Sequence, residues 1–94
     1  VSSYKLSNAA KEDLIPIHHW GTKKFGPTQA DKYFDNFFSH FEIIGRRPYS
    51  FEAVDYLKTG YRRCPCGSDS IYYRIGNGCV EIMAVIGKQD LENL

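Results

Sequence analysis

Between Ala30 and Ile44 the apolar side chains recur at steps of three and four: Ala30, Tyr33, Phe34, Phe37, Phe38, Phe41 and Ile44. That spacing puts all of them on one stripe of an α-helix, with Asp31, Lys32, Asp35, Asn36 and Ser39 on the other face. A stripe so rich in aromatic rings must be covered by a large apolar surface, and this requirement constrains the rest of the chain. Gly45 and Pro48 mark where the helix stops. Phe25-Gly26-Pro27 marks where it starts, since Gly suits the end of a preceding helix and Pro the first turn of the next. Upstream, Ala10, Leu14, Ile17 and Gly21 repeat with the same helical spacing and predict a first helix over 8–24. Ser7 is its natural N-cap, and Glu12 and Asp13 follow in the early turns, where they would suit the helix dipole. Pro16 lacks an N–H and clashes with the carbonyl of Glu12, which predicts a kink or an early break. Two helices joined by so tight a turn form an antiparallel hairpin.

From Gly60 onward the period changes. Tyr61–Cys66, Ser70–Ile75 and Cys79–Ile86 are rich in β-branched and aromatic residues, and Gly67-Ser68-Asp69 and Gly76-Asn77-Gly78 separate them with hairpin-turn compositions. Residues 3–7 alternate and predict a short N-terminal strand. Residues 46–59 read as a loop with a short strand around Ala53–Leu57, and Gly87–Leu94 as a short polar segment. Nothing divides the 94 residues, so 1–94 is expected to be one domain. The expected class is α+β: an N-terminal strand, then an antiparallel helical hairpin packed on a mostly antiparallel sheet of three to four strands.

The formal charge is only +1, but it is unevenly spread. Residues 1–44 carry five basic and five acidic side chains, while residues 45–88 carry seven basic (Arg46, Arg47, Lys58, Arg62, Arg63, Arg74, Lys88) against four acidic. Arginine, which dominates that set, binds carboxylates and phosphates bidentately. The three cysteines, Cys64, Cys66 and Cys79, are an odd number, which argues against a disulfide framework. No apolar run is long enough to span a membrane, no Asn-x-Ser/Thr acceptor is present, and no signal peptide is expected. The expectation is a cytoplasmic protein with no membrane partner.

The usual chemical constellations are absent from the sequence. Cys64-x-Cys66 is not zinc-ribbon or zinc-finger spacing, and nothing in the sequence brings His18, His19 or His40 near the cysteines; no metal is expected. No local signature marks a cysteine nucleophile. His18 and His19 point about 100° apart on a helix, so one is expected half-buried and the other exposed. Gly76-Asn77-Gly78 does not open a helix and therefore does not cradle phosphate, so no cofactor is expected. What remains is a sheet face on which arginines Arg62, Arg63 and Arg74 interleave with Tyr61, Tyr72 and Tyr73, a composition suited to RNA or to an acidic peptide. The register is open: Arg62 and Arg74 share a face or oppose each other, and one of Arg62 and Arg63 points away from the helices.

Three segments, in order and at the right spacing, carry a resemblance. Leu6–Leu14 (LSNAAKEDL) resembles the opening of ParE toxins, a strand followed by Ser-x-x-Ala-x-x-Asp-Leu. Phe25–Phe37 (FGPTQADKYFDNF) resembles their Gly-x-x-Gln-Ala-x-x-Tyr segment. Gly60–Asp90 resembles their Gly-Tyr-Arg-Arg, Gly-Ser, Ile-x-Tyr-Arg and Val-Glu-Ile core. The chain is thus similar to the ParE/RelE superfamily of bacterial toxins over nearly its whole length. It departs in having Asp69 where many ParE sequences carry His, and in the form of Ile86–Asp90.

The resemblance implies the toxin half of a type II toxin–antitoxin module, held inactive in a hetero-oligomeric complex by a cognate antitoxin whose partly disordered segment folds on binding. Trp20, Phe25 and Tyr33 are candidate antitoxin contacts. RelE-like members are ribosome-dependent mRNA endonucleases, whereas ParE-like members are associated with DNA gyrase and need no acid–base set. Gln89 stands where a ribonuclease would tend to place Arg, and no Tyr or His follows Tyr73, so the resemblance favours a non-enzymatic gyrase binder. Arg62, Arg63, Arg74, Lys88 and Gln89 are candidate target contacts. The alternatives are a ribonuclease built on Arg62, Arg63, Arg74 and Lys88, or a degenerate member that only assembles with its antitoxin in transcriptional autoregulation.

Overall fold

The computed structural model describes residues 3–87. Strand β1 (Tyr4–Leu6) leads into helices α1 (Asn8–Phe25) and α2 (Pro27–Arg46); a 3-10 turn (Pro48–Ser50) then leads to β2 (Glu52–Ala53), β3 (Tyr61–Cys66), β4 (Asp69–Ile75) and β5 (Val80–Gly87). The sheet has five strands in the order β1-β5-β4-β3-β2, so the expected three to four strands gain one at an edge. β3, β4 and β5 form the expected meander. β1 pairs in parallel with β5, Tyr4 opposite Val80 and Leu6 opposite Ile82, while β2 adds two residues opposite Arg62 and Arg63. A parallel pair needs a long connection, and the helical hairpin together with β2–β4 lies between the two strands. β2 falls at Glu52–Ala53, N-terminal to most of the predicted 53–57 stretch, and the following residues turn back to β3.

The start of α1 is as the sequence predicts. Ser7 is extended, and its Oγ accepts the Ala10 N–H at 3.1 Å and donates to the Met83 carbonyl at 3.1 Å. Two expectations need correction. The early break is absent: α1 runs from Asn8 to Phe25 through Pro16, at the cost of the hydrogen bond that Pro16 cannot donate. No acidic residue lies in the first turn of α1, so Glu12 and Asp13 sit beyond the reach of the helix dipole. α1 ends at Gly26, φ +87, whose N–H returns to Thr22, and Pro27 opens α2 at once. Gly21 faces Ala30 across the hairpin, where a Cβ on Gly21 would meet Ala30 Cβ at 3.5 Å, ordinary van der Waals contact.

The core lies between the hairpin and one face of the sheet. Ala10 and Leu14 from α1 and Phe37, Phe41 and Ile44 from α2 are buried against Cys64, Cys66, Ile71, Tyr73, Val80, Ile82 and Val85. Of the stripe, Ala30, Phe37, Phe41 and Ile44 are buried, while Tyr33, Phe34 and Phe38 are half-buried. Tyr73 anchors the core polar-end first: its hydroxyl donates to the Pro48 carbonyl at 2.6 Å, and burial pushes its pKa up to about 12. On the reverse face Val54 joins Tyr61, Tyr72, Ala84 and Ile86 in a second buried cluster.

Asp13 has a different task from the one the dipole would assign. β1 covers β5 only as far as Ile82, and the ladder between β4 and β5 slips at Tyr72/Tyr73. Past that point the Val85 N–H faces α1, and Asp13 Oδ2 accepts it at 3.0 Å. Burial raises the Asp13 pKa, the Val85 bond opposes the rise, and Glu12 adds to it. A carboxyl whose folded pKa lies above its unfolded value favours folding at low pH; that contribution fades as pH rises from the unfolded toward the folded pKa. Asp13→Asn, which keeps an acceptor for Val85 without the charge, should therefore match or exceed the parent's stability at neutral pH and flatten its dependence on pH around the carboxylate range. Asp13→Ala should lose about 1–3 kcal/mol by orphaning the Val85 N–H. Urea unfolding at two pH values separates the two; an Asn variant as unstable as the Ala variant would refute the assignment.

Candidate functional site

A cleft of about 980 Å³ runs along the seam between α1 and α2 to the β3–β4 turn and the end of β5. Ile17, Trp20, Gly21 and Phe25 line it from α1; Ala30, Tyr33, Phe34 and Asn36 from α2; Ser68, Asp69 and Gly87 from the sheet. Trp20, Phe25 and Tyr33, the three candidate antitoxin contacts, all lie on its wall. Trp20 is 56% exposed and Phe25 60%, and their rings meet edge to face with centroids 5.8 Å apart. Lys24 Nζ sits 5.1 Å from the Trp20 ring centroid. These rings are exposed because the helical period carries Trp20 and Phe25 off the stripe that faces the sheet.

Tyr33 closes the polar end of the cleft. Its hydroxyl donates to Asp69 Oδ2 at 2.8 Å and accepts the Ser68 N–H at 3.3 Å. Burial raises its pKa; the Ser68 hydroxyl opposes that and Asp69 adds to it. The Tyr33 ring lies against Gly67, whose φ is +63 and whose absent Cβ would fall 2.6 Å from the ring. The β3–β4 turn and α2 are thereby latched together. On the helical side, His18 Nε2 and Asp31 Oδ1 join α1 to α2 at 2.8 Å. His18 is half-buried and His19 exposed, as their 100° separation predicts.

The expected arginine face divides. Arg62 stands opposite Tyr73 on the helix side of the sheet, whereas Arg63, opposite Tyr72, and Arg74, opposite Tyr61, share the reverse side. Arg63 donates to Ser70 Oγ at 2.9 Å and pairs with Glu52 at 3.0 Å. Arg74 pairs with Glu81 at 2.9 Å, and this bond is the main reason the Glu81 pKa is lowered. Arg62 instead donates to the Phe51 carbonyl at 2.7 Å. Lys88 and Gln89 lie outside the described residues.

One histidine is close to a cysteine after all. His40 Nδ1 lies 3.6 Å from Cys66 Sγ, and Asn36 Nδ2 also lies 3.6 Å from that sulfur. Sequence reasoning missed this because α2 crosses β3 at positions 26 residues apart. The arrangement is not an activated nucleophile: Cys66 is 1% exposed and burial pushes its thiol up to about 11, away from the reactive thiolate. Cys64 is likewise pushed up to about 11 by burial.

A profile of the family described as ParE toxin of type II toxin–antitoxin system, parDE, matches residues 4–91. The chain belongs to the ParE toxin family. It is 36% identical over 83 residues to Toxin ParE1 of Caulobacter vibrioides, an alignment covering 88% of this chain and 85% of that protein. Toxin ParE1 of Mycobacterium tuberculosis is 29% identical over 86 residues, covering 90% and 88% respectively. The fold of this ParE-family chain also matches a solved chain titled "Chromosomal ParDE TA system from P. aeruginosa", with a TM-score of 0.79, 17% identity and coverage of 90% and 94%. No helix among the described residues is long and apolar enough to cross a membrane.

Proposed function

We propose that this ParE-family chain is a toxin that acts by binding DNA gyrase without chemistry of its own, and that a cognate antitoxin neutralises it by occupying the α1–α2 cleft. The observation that carries the antitoxin half is the open Trp20–Phe25 pair on the wall of a groove that is apolar along the helices and polar at its Tyr33–Asp69 end. Large exposed aromatics beside a groove are typical of a surface that receives an amphipathic segment. Three features support a binding mode over a ribonuclease. Arg63 and Arg74 are each committed to a carboxylate. Tyr73 is buried, with its proton held on the Pro48 carbonyl. Cys66 has no thiolate character at neutral pH. A general acid or base needs a pKa near the working pH and access to substrate.

The test pairs two assays on the purified chain: supercoiling and DNA cleavage by gyrase with ATP, and mRNA cleavage on translating ribosomes. The expected result is trapped gyrase–DNA breaks with intact mRNA. Codon-positioned mRNA cuts with unaffected gyrase would overturn the reading.

A further inference from the structure

At the C-terminal end of α2, away from the cleft, stand cations that no carboxylate of the described residues pairs with. Arg46 lies in the last turn of α2 and Arg47 at its C-cap, and both are exposed. The 3-10 turn that follows carries Tyr49, 72% exposed. β3 sends Arg62 to the same corner, where its guanidinium lies 5.1 Å from the Tyr49 ring centroid and donates to the Phe51 carbonyl at 2.7 Å. Among the described residues, no carboxylate pairs with Arg46, Arg47 or Arg62, whereas Arg63 and Arg74 each have one. A helix C-terminus accounts for one cation in its last turn. It accounts neither for Arg47 at the C-cap and Arg62 beside the following 3-10 turn nor for the open tyrosine under Arg62.

Like charges gathered without a counter-charge repel one another, and a polyanion relieves that repulsion while releasing its own counterions. An acidic protein would answer the charge but has no particular use for the open ring. An unpaired base stacks on such a ring, as bases do on the aromatic platforms of single-strand binders. We propose that Arg46, Arg47, Tyr49 and Arg62 form a binding surface for single-stranded nucleic acid, with phosphates on the arginines and one base on Tyr49. Arg62 is a positioning residue as well as a contact: its bond to Phe51 and its place over the ring fix the platform. The corner lies ten residues beyond Asn36 on α2, about 15 Å along the axis, so it is separate from the cleft. The proposal does not rest on the gyrase reading.

The test is fluorescence anisotropy of the purified full chain with labelled oligodeoxythymidylate, oligouridylate and a DNA duplex of equal length, across a salt series. Both single strands should bind more tightly than the duplex, and the ratio of the first two tells DNA from RNA as the preferred source. Three phosphates should give a slope of log affinity on log salt of about −2. Tyr49→Ala should weaken single-strand binding about tenfold with the slope unchanged, and Tyr49→Phe should restore it. Arg47→Ala should lower the slope by about 0.7. Circular dichroism checks that these exposed substitutions leave the fold intact. A duplex bound as tightly as the single strands with Tyr49→Ala harmless, or no salt-dependent binding at all, would overturn the proposal. Polyglutamate competing as well as the oligonucleotides would also overturn it and assign the corner to an acidic protein.

Discussion

Replacing Trp20 and Phe25 together by alanine is expected to weaken antitoxin binding by about a thousandfold while the melting temperature barely moves. Both rings are more exposed than buried in the free chain, so truncating them removes little of the core. Substitutions of that kind usually change stability by about 0.5 kcal/mol or less. Binding is a different matter. A large aromatic at the centre of an interface contributes about 2–4 kcal/mol to affinity, because its burial there is complete and its neighbours exclude water. The two rings touch each other, with centroids 5.8 Å apart, so their single effects should not add. We expect about a hundredfold loss from Trp20→Ala alone, and less from the second change. Lys24 lies over the Trp20 ring and will be freed by the same substitution, so Lys24→Gln is the control for lost charge. Calorimetric titration with the cognate antitoxin decides the matter. Undiminished affinity in the double variant would place the antitoxin elsewhere on the surface.

Much of this arrangement was legible from spacing alone. The aromatic stripe from Ala30 to Ile44 forced a helix onto a sheet, and Phe37, Phe41 and Ile44 are buried as that stripe demands. The hairpin turns at Gly67 and Gly78 were marked by residues that tolerate positive φ, and both have it. The outer strands were harder to read, because β1 has three residues and β2 only two, too few for a period to register. Facing on the sheet was not legible. Whether Arg62 or Arg63 looks toward the helices depends on a register that only the paired strands define, and the answer separates Arg62 from Arg63 and Arg74. Contacts between distant elements escaped for a related reason. Asp13 meets Val85 and His40 meets Cys66 because helices cross strands at particular points, and nothing local in the sequence records the crossing. At Pro16 the early break does not occur, because tertiary support outweighs the local rule: Leu14 is buried and Ile17 packs against the core on either side of it, holding α1 continuous.

Gly67→Ala should be among the most damaging single-atom additions in the molecule, costing about 3–4 kcal/mol of stability. Two separate penalties combine. The residue sits at φ +63, where a Cβ costs about 1–2 kcal/mol against the following carbonyl. That Cβ would also lie 2.6 Å from both Tyr33 Cε1 and its hydroxyl, so the ring must move. Moving it breaks the bond to Asp69 and the one from the Ser68 N–H, each worth about 1 kcal/mol. Tyr33→Phe isolates the second loss, since it keeps the ring and removes the hydroxyl, and should cost about 1–2 kcal/mol. Tyr33→Ala removes the obstacle itself. In the Gly67→Ala/Tyr33→Ala double variant the steric part of the first penalty has nothing to act on, so the combined loss should fall short of the sum by about 1 kcal/mol or more. Urea unfolding of the four proteins measures that difference, and strict additivity would mean that ring and turn are not coupled. Tyr33 also lines the cleft, so the same displacement alters the groove wall beside Ser68 and Asp69. Gly67→Ala should therefore weaken antitoxin binding as well as folding, whereas an equally destabilising cavity such as Phe41→Ala, in the core two turns along α2 from Phe34 and not itself on the cleft wall, should weaken folding alone.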